Sequence, residues 1–197
     1  ASSSSVYGGK EKVPFAETDP VDRPLSLYAA TKRANELMAG TYARIFGFPT
    51  VGLRFFTAYG PWGRPDMALW KFTEAILAGR PISVYNNGEM RRDFTYVDDI
   101  VDGVTSAMVA PQLADDEIIN LGNHRAEPLL DLIAEIERAT GVEAIKKFEP
   151  LQPGDPVETY ADIAKARRLL GYAPKTSIAT SVPRYVEGYG EWTARET

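Results

Sequence analysis

Apolar segments of two lengths alternate along the chain, and this alternation restricts the fold more than any other feature. Short segments rich in β-branched and aromatic residues, such as Thr50–Phe56, are followed by longer segments with helical spacing, such as Val97–Val109. Strands that alternate with helices are joined in parallel by helical crossovers, which cover the faces of the sheet. The sequence therefore predicts an α/β fold with a largely parallel sheet.

The predicted elements occupy most of the chain. We expect helices at Ser26–Phe46, Asp66–Leu77, Val97–Val109, Pro128–Thr140, Asp162–Leu170 and Ile178–Thr193. We expect strands at Thr50–Phe56, Ile82–Tyr85, Glu117–Leu121 and Ala144–Phe148, with Ala1–Val6 as the end of a buried strand. The last helix contains Pro183, Gly188 and Gly190, so we expect it to be held loosely.

Charge and composition exclude several classes of protein. The net charge is −5 and no basic run could follow a phosphate backbone, so no nucleic acid is expected as a partner. There is no cysteine and the single histidine is His124, expected on a loop or the surface, so no bound metal is expected. No apolar run reaches membrane-spanning length and no signal peptide pattern is present, so we expect a cytoplasmic protein without membrane contacts.

One pair of residues has the spacing of an acid–base centre. Tyr28 and Lys32 lie four residues apart in a predicted helix, so the ammonium can sit beside the phenol and stabilise the phenolate. A serine of the upstream run Ser2–Ser5 could meet both over a substrate hydroxyl. This arrangement suits removal of an alcohol proton while a hydride leaves the same carbon. The spacing alone is common, and the alternative is a surface pair on an amphipathic helix.

Blocks in a fixed order strengthen this interpretation. They are Ala1–Gly8, Ser26–Lys32, Leu53–Met67, Val84–Gly88, Arg92–Asp99 and Gln152–Asp162. Together they resemble the C-terminal part of the extended short-chain dehydrogenases/reductases, in the NAD-dependent epimerase/dehydratase family. Within that family the likeness is greatest to the UDP-glucuronate 4-epimerases. A local departure is Asp155-Pro-Val157, where the family usually has Asp-Val-Pro.

The resemblance also implies what the sequence lacks. Family members begin with a strand, a Gly-x-x-Gly-x-x-Gly turn and a helix that binds the NAD pyrophosphate, and these residues contain no such motif. We therefore expect a fragment that is inactive alone. Residues 1–60 would be the remnant of the Rossmann-type dinucleotide-binding domain with the catalytic helix. Residues 61–197 would form the small α/β region that binds the UDP-sugar, with some segments returning to the main sheet.

Roles at the first strand end follow from the resemblance. In the family, the tyrosine at the position of Tyr28 is the acid/base at the sugar C4 hydroxyl, and Lys32 supports it and binds the nicotinamide ribose of NAD. Ser3 has the position that hydrogen-bonds the reacting oxygen. Dehydratases and decarboxylases carry acidic residues where Ser4 and Ser5 stand, so the resemblance favours a 4-epimerase and places both serines at the substrate.

Substrate contacts are implied farther along the chain. Arg64 is the predicted partner of a uronate carboxylate, because a guanidinium fork suits a planar carboxylate. Thr57 matches a position that contacts the substrate beside it. At the nucleotide end, the resemblance implies that Arg92 binds the diphosphate, Tyr85 lies against the uracil and Asp155 accepts from the ribose hydroxyls.

Several of these residues have an alternative without function. Arg64 could be a solvated loop arginine, and Arg92 could form a salt bridge with an aspartate of the Asp98–Asp102 segment. Related hexose epimerases often have arginine where Gln152 stands, which leaves more of the diphosphate charge to Arg92. The tryptophans are expected to pack rather than bind: Trp62, Trp70 and Trp192.

Three functions stay open at this point. The first is conversion of UDP-glucuronate to UDP-galacturonate, and the second is epimerisation of another nucleotide sugar, for which Arg64 would have no carboxylate to pair with. The third is a non-catalytic module that binds a UDP-sugar. Family members are usually homodimers built on two helices per subunit, of which only Ser26–Phe46 is present here, so the assembly of the fragment is left open.

Overall fold

The computed structural model describes residues 1–111, 113–152 and 155–196. The α-helices are α1 (Leu27–Phe46), α2 (Ala68–Leu77), α3 (Val97–Val109), α4 (Leu129–Thr140), α5 (Ala164–Leu170) and α6 (Ile178–Glu196). The strands are β1 (Ser2–Ser3), β2 (Thr50–Phe55), β3 (Thr57–Tyr59), β4 (Ile82–Val84), β5 (Arg91–Arg92), β6 (Phe94–Tyr96), β7 (Asp116–Leu121), β8 (Glu127–Pro128), β9 (Lys146–Phe148) and β10 (Glu158–Thr159). Short 3₁₀ helices span Ser4–Tyr7 and Tyr85–Gly88.

A parallel sheet in the order β1–β2–β7 supports the N-terminal part of the structure. β2 and β7 pair in parallel over their whole length, beginning with Thr50 opposite Asp116. β1 pairs with the other edge of β2, with Ser3 opposite Phe55. In the described part of the chain, the remaining strands pair as β10–β5–β8, β3–β6 and β4–β9, and only β5–β8 is antiparallel. The predicted α/β class with a largely parallel sheet is confirmed.

Local capping sets the limits of α1. Ser26 has extended backbone angles, and its hydroxyl accepts a hydrogen bond from the backbone N–H of Ala29 at 3.1 Å. At the other end, Gly47 adopts a left-handed conformation with φ 67°, and its N–H donates to the carbonyl of Ala43. These two caps explain why the helix follows the predicted span so closely.

The first strand is shorter than predicted. Only Ser2 and Ser3 belong to β1, and Ser4–Tyr7 forms a 3₁₀ helix instead of continuing the strand. The cause is local, because the Ser3 hydroxyl accepts a hydrogen bond from the Ser5 N–H at 3.2 Å. Such a bond offers the backbone an alternative to the sheet ladder.

The prediction that the last helix is held loosely is wrong. α6 buries Val182 and Tyr185, which are 0% and 2% exposed, in an apolar cluster that also contains side chains of α4. Gly188 lets the helix approach Pro61, since a Cβ at that position would lie 2.7 Å from the proline Cβ. Close packing therefore offsets the low helix propensity of the glycines.

Buried apolar side chains form two clusters. The cluster around the parallel sheet includes Val6, Phe15, Leu53, Ile119, Leu121, Ile163 and Ala166. The cluster around α2, α4 and α6 includes Leu69, Ile76, Val84, Phe94, Leu132, Ile133, Val182 and Tyr185. The predicted domain boundary at residue 60 stays a prediction. Residues after this boundary, such as Ile119 and Ile163, do belong to the cluster around the parallel sheet.

A buried ion pair joins α1 to the sheet. Both nitrogens of the Arg54 fork reach the carboxylate of Glu36, with Nε and Nη2 at 2.8 and 2.9 Å from its two oxygens. The Ser2 hydroxyl donates to Glu36 Oε1 at 2.6 Å, and Arg54 also donates to the hydroxyl of Tyr7 at 3.0 Å. Burial alone would raise the pKa of Glu36, but the hydrogen bonds from Arg54 and Ser2 outweigh it and hold that pKa below its ordinary value of 4.5.

Removal of this carboxylate should destabilise the protein strongly. Glu36→Ala leaves the Arg54 guanidinium buried without its counter-charge, so we expect a loss of about 3–5 kcal/mol in the free energy of unfolding. Glu74→Ala is the matched control, because Glu74 pairs with Arg80 at 3.2 Å where both side chains are at least half exposed. That change should cost no more than about 1 kcal/mol. Urea denaturation of both variants measures the difference, and equal losses would contradict the assignment.

The same pair should make the protein sensitive to acid. Because the pKa of Glu36 is lower in the folded state, its contribution is present in full above the ordinary glutamate pKa and is lost as pH falls. The difference in unfolding free energy between wild type and Glu36→Gln should be constant from about pH 7 to about pH 5 and narrow below about pH 4. A difference that stays constant down to the acid limit of folding would show that Glu36 does not titrate in this way.

Candidate active site

A cleft of about 520 Å³ opens where β1 and β2 end. Because the carboxyl ends of parallel strands meet at one edge of a sheet, residues that follow the strands converge there. The lining comes from β1, the first turns of α1, the segment 55–64 at the end of β2 and beyond it, the starts of α2 and α3, and α6. This volume lies in the range of pockets that bind small molecules.

The predicted acid–base pair lies in this cleft. Tyr28 and Lys32 are one turn apart on α1, and the Lys32 Nζ is 5.7 Å from the centroid of the Tyr28 ring. Lys32 also donates to the backbone carbonyl of Ala1 at 3.2 Å, which joins the helix to the first strand. The Tyr28 side chain is 50% exposed, so a ligand can reach it.

The serine run divides into two parts. Ser3 and Ser4 line the cleft beside Tyr28, and the Ser3 oxygen already accepts a hydrogen bond from the Ser5 N–H, which leaves its own hydrogen to donate. Ser5 does not belong to the lining. Its hydroxyl is buried and has no hydrogen-bond partner among the described residues.

Arg64 and Thr57 also line the cleft. Thr57 begins β3, and its N–H donates to the Asp93 carbonyl at 3.1 Å. Arg64 lies on the loop after β3, and its Nε is 3.3 Å from Asp66 Oδ1, with both side chains about two-thirds exposed. The guanidinium also approaches the sulfur of Met67 at 3.4 Å. An exposed ion pair of this kind is weak, so a ligand carboxylate can compete for Arg64.

The residues predicted for the nucleotide end lie outside the cleft lining. Arg92 donates to the Val157 carbonyl at 3.1 Å, and burial lowers its pKa while the attraction of Asp155 opposes that change. It makes these contacts rather than the predicted alternative bridge to α3. Tyr85 is half-buried at the end of β4, and Gln152 is exposed. Pro153 and Gly154 of the same predicted motif lie outside the described residues.

Sequence reasoning missed a buried carboxylate next to Arg92. Asp93 is 0% exposed and accepts hydrogen bonds from the N–H groups of Asn123, His124 and Ala161 and from the Thr95 hydroxyl, at 2.6 to 3.1 Å. Burial raises its pKa to about 6, against the effect of these donors. Its hydrogen bonds join β6 to the segments that follow β7 and β10, so Asp93 fixes the backbone from which Thr57 and Arg92 project.

The remaining candidates from the sequence are His124 and the tryptophans. His124 is exposed with φ 56°, and its N–H binds Asp93. Trp70 packs edge-on against Tyr189 and Trp192, as expected, whereas Trp62 is exposed and lines the cleft.

Over the described ranges, no group of three histidine or acidic residues could hold a metal ion. No helix of the described chain is long and apolar enough to cross a bilayer.

Comparison with known proteins gives consistent matches. The profile of the NAD dependent epimerase/dehydratase family matches residues 1–122. The probable UDP-glucuronate 4-epimerase of Rhizobium meliloti is 44% identical over 97% of this chain, which spans 61% of the length of that protein.

Solved structures give the same picture. The UDP-glucuronic acid 4-epimerase of Bacillus cereus, in complex with UDP-glucuronic acid and NAD, is 37% identical with a TM-score of 0.88, over 97% of this chain and 60% of that one. The UDP-glucose 4-epimerase of Thermotoga maritima, with UDP-glucose, is 30% identical with a TM-score of 0.88, over 98% of this chain and 62% of that one. The chain thus spans about three-fifths of the length of each of these three relatives.

Proposed function

The chain belongs to the NAD-dependent epimerase/dehydratase family, and we propose that its full-length protein interconverts UDP-glucuronate and UDP-galacturonate through a 4-keto intermediate. The observation that carries the proposal is the shared cleft. Its lining includes Tyr28, Lys32 and Ser3 together with Arg64.

The acid–base step is assigned to the N-terminal side of the cleft. Tyr28 acts as the general base that takes the proton of the C4 hydroxyl, and the Lys32 ammonium lies beside its ring. The Ser3 hydroxyl donates to the same substrate oxygen and holds it near the phenol. On the return step Tyr28 gives the proton back to the oxygen of the keto sugar.

The residues present also fit the nicotinamide end of NAD. Lys32 has three N–H donors and uses one on the Ala1 carbonyl, so others can bind ribose hydroxyls beside Tyr28. When bound, NAD supplies reversible hydride transfer at the sugar C4. The expectation that residues 1–197 alone are inactive belongs to this proposal, and an assay of that chain with UDP-glucuronate and NAD tests it.

The serine positions support epimerisation over elimination. Ser4 lines the cleft next to Ser3, and Ser5 follows it in the 3₁₀ helix. Neither hydroxyl can act as the carboxyl acid or base that loss of water from the sugar requires. The keto sugar is therefore left to take the hydride back, and it does so on its other face after turning over.

Substrate choice is assigned to Arg64 and Thr57. The Arg64 fork exchanges its exposed partner Asp66 for the uronate carboxylate, with Thr57 beside it. At the nucleotide end, we propose the contacts predicted from the sequence: Arg92 binds the diphosphate, Tyr85 lies against the uracil and Asp155 accepts from the ribose hydroxyls.

A neutral hexose is the second candidate substrate. The contact of Arg64 with Asp66 at 3.3 Å supports it, because the guanidinium then has a partner without a uronate. The likeness to the Thermotoga UDP-glucose 4-epimerase also supports it. The two candidates share the chemistry at Tyr28 and differ only at Arg64.

We also propose that the full-length protein is a homodimer. α1 exposes apolar side chains that a partner helix could cover: Leu37, Met38, Tyr42 and Ile45. A group of this size on one helix is more typical of an interface than of a free surface. The cytoplasm stays the expected compartment.

Replacement of the acid–base residue should remove catalysis without harming the fold. We expect Tyr28→Phe in the full-length protein to lower kcat by about 10²–10⁴-fold, the usual contribution of a positioned acid–base group. Because Tyr28 is half exposed, the melting temperature and the affinity for UDP should stay unchanged. Steady-state rates with UDP-glucuronate decide it, and a fall of less than about 10-fold would argue against this role.

Arg64 separates the two candidate substrates. Arg64→Leu should cost about 2–5 kcal/mol of transition-state binding with UDP-glucuronate, a fall of about 30- to 3,000-fold in kcat/KM. Gln152→Ala is the control, because a neutral contact to the diphosphate is worth only about 1 kcal/mol. Without the guanidinium the keto acid should also lose carbon dioxide more readily, so a UDP-pentose by-product should rise.

The outcome for both variants is read from rates and from a chromatographic product profile. Near-normal kcat/KM in Arg64→Leu together with no pentose would mean that Arg64 does not hold the carboxylate. The neutral-hexose candidate would then replace the first one.

A further inference from the structure

The turn that carries the cleft wall contains an unusual residue. In Gly60–Gly63 the N–H of Gly63 donates to the Gly60 carbonyl at 3.1 Å, with Pro61 second and Trp62 third. Trp62 has φ 65°, a left-handed conformation that bulky side chains rarely adopt. A turn with proline second and a positive φ third is the type II pattern, which favours glycine or asparagine at that third position. A tryptophan therefore strains this turn.

α6 contacts this turn at two points. Pro61 fits against Gly188, where a Cβ would lie 2.7 Å from the proline Cβ. Two helical turns later on the same face, the Arg195 guanidinium lies 5.0 Å from the centroid of the Trp62 ring. The helix thus fixes the turn at one point and restrains the indole at the other.

Burial does not explain the tryptophan. Trp62 is 56% exposed, whereas the neighbouring Trp70 is 6% exposed and packs against other aromatic rings. Trp62 instead lines the cleft together with Tyr28 and Arg64. A strained residue that is kept in place by its surroundings and faces a cleft is typical of a functional position.

We propose that Trp62 orients the sugar ring of the substrate. Arg195 covers one face of the indole, and the other face stacks on the apolar C–H face of the sugar that lies between Tyr28 and Arg64. Stacking has no fixed donor and acceptor, so it holds the sugar in either orientation that the proposed epimerisation requires. This inference rests on the proposed function and assigns it a specificity-determining residue.

Trp62→Gly in the full-length protein is the decisive variant. Glycine adopts positive φ without strain, so the melting temperature should equal or exceed that of wild type. We expect kcat/KM for UDP-glucuronate to fall about 10-fold, while the affinity for UDP, which lacks the sugar, stays unchanged. Trp62→Asn, which also tolerates this conformation, should behave alike, and Trp62→Tyr should recover most of the lost kcat/KM.

Three results would overturn the inference. One is wild-type kcat/KM in Trp62→Gly, another is a parallel loss of UDP affinity, and the third is a clear fall in melting temperature, since the last two indicate a purely structural role. Failure of the proposed function is distinguishable, because wild-type protein would then not convert UDP-glucuronate. In that case calorimetry still decides: Trp62→Gly should narrow the difference in affinity between UDP-glucuronate and UDP, and a difference equal to that of wild type would refute the stacking role.

Discussion

The ion pair between Arg54 and Glu36 is the contact on which the geometry of the cleft depends. Arg54 lies on β2 and Glu36 on α1, and both are almost fully buried. Glu36 comes one turn after Lys32, and its carboxylate also binds Ser2, the neighbour of Ser3. A single buried carboxylate thus fixes the helix that carries the acid–base pair relative to the strand that carries the serine. A shift of one would separate groups that must meet at the same substrate oxygen.

Much of the fold could be predicted because its signals are local. α3 has the predicted limits Val97–Val109, and α1 starts one residue after the predicted Ser26, which caps it. The short strands β3, β5, β6, β8 and β10 were not predicted, since two or three residues carry little alternation. The equally short β4 and β9 were predicted only as parts of the longer segments Ile82–Tyr85 and Ala144–Phe148. β1 was too long in the prediction because a serine side chain competes with the sheet for the backbone of Ser5.

The candidate site was accessible from the sequence in part. The motif spacing and the resemblance located Tyr28, Lys32, Ser3 and Arg64, which the structure brings to one cleft. Ser5, Tyr85, Arg92 and Asp155 are not in that lining. The substrate contacts of all these residues stay predictions.

The supporting residues are a different matter. Glu36 and Asp93 were missed because the residue type does not show whether a carboxylate is buried or solvated. Only its three-dimensional contacts do. Trp62 did carry a usable signal, since the order Gly-Pro-Trp-Gly puts a tryptophan where such turns favour glycine.

The acid–base pair and Arg64 are held in the cleft with different strength. Tyr28 and Lys32 stand on a helix tied down by a buried pair, whose disruption costs about 3–5 kcal/mol. Arg64 is held by an exposed pair worth at most about 1 kcal/mol, so an incoming carboxylate can displace Asp66 easily. Substitutions of Arg64 should therefore change which sugar is accepted before they change the chemistry, because the chemistry depends on the rigidly held Tyr28 and Lys32.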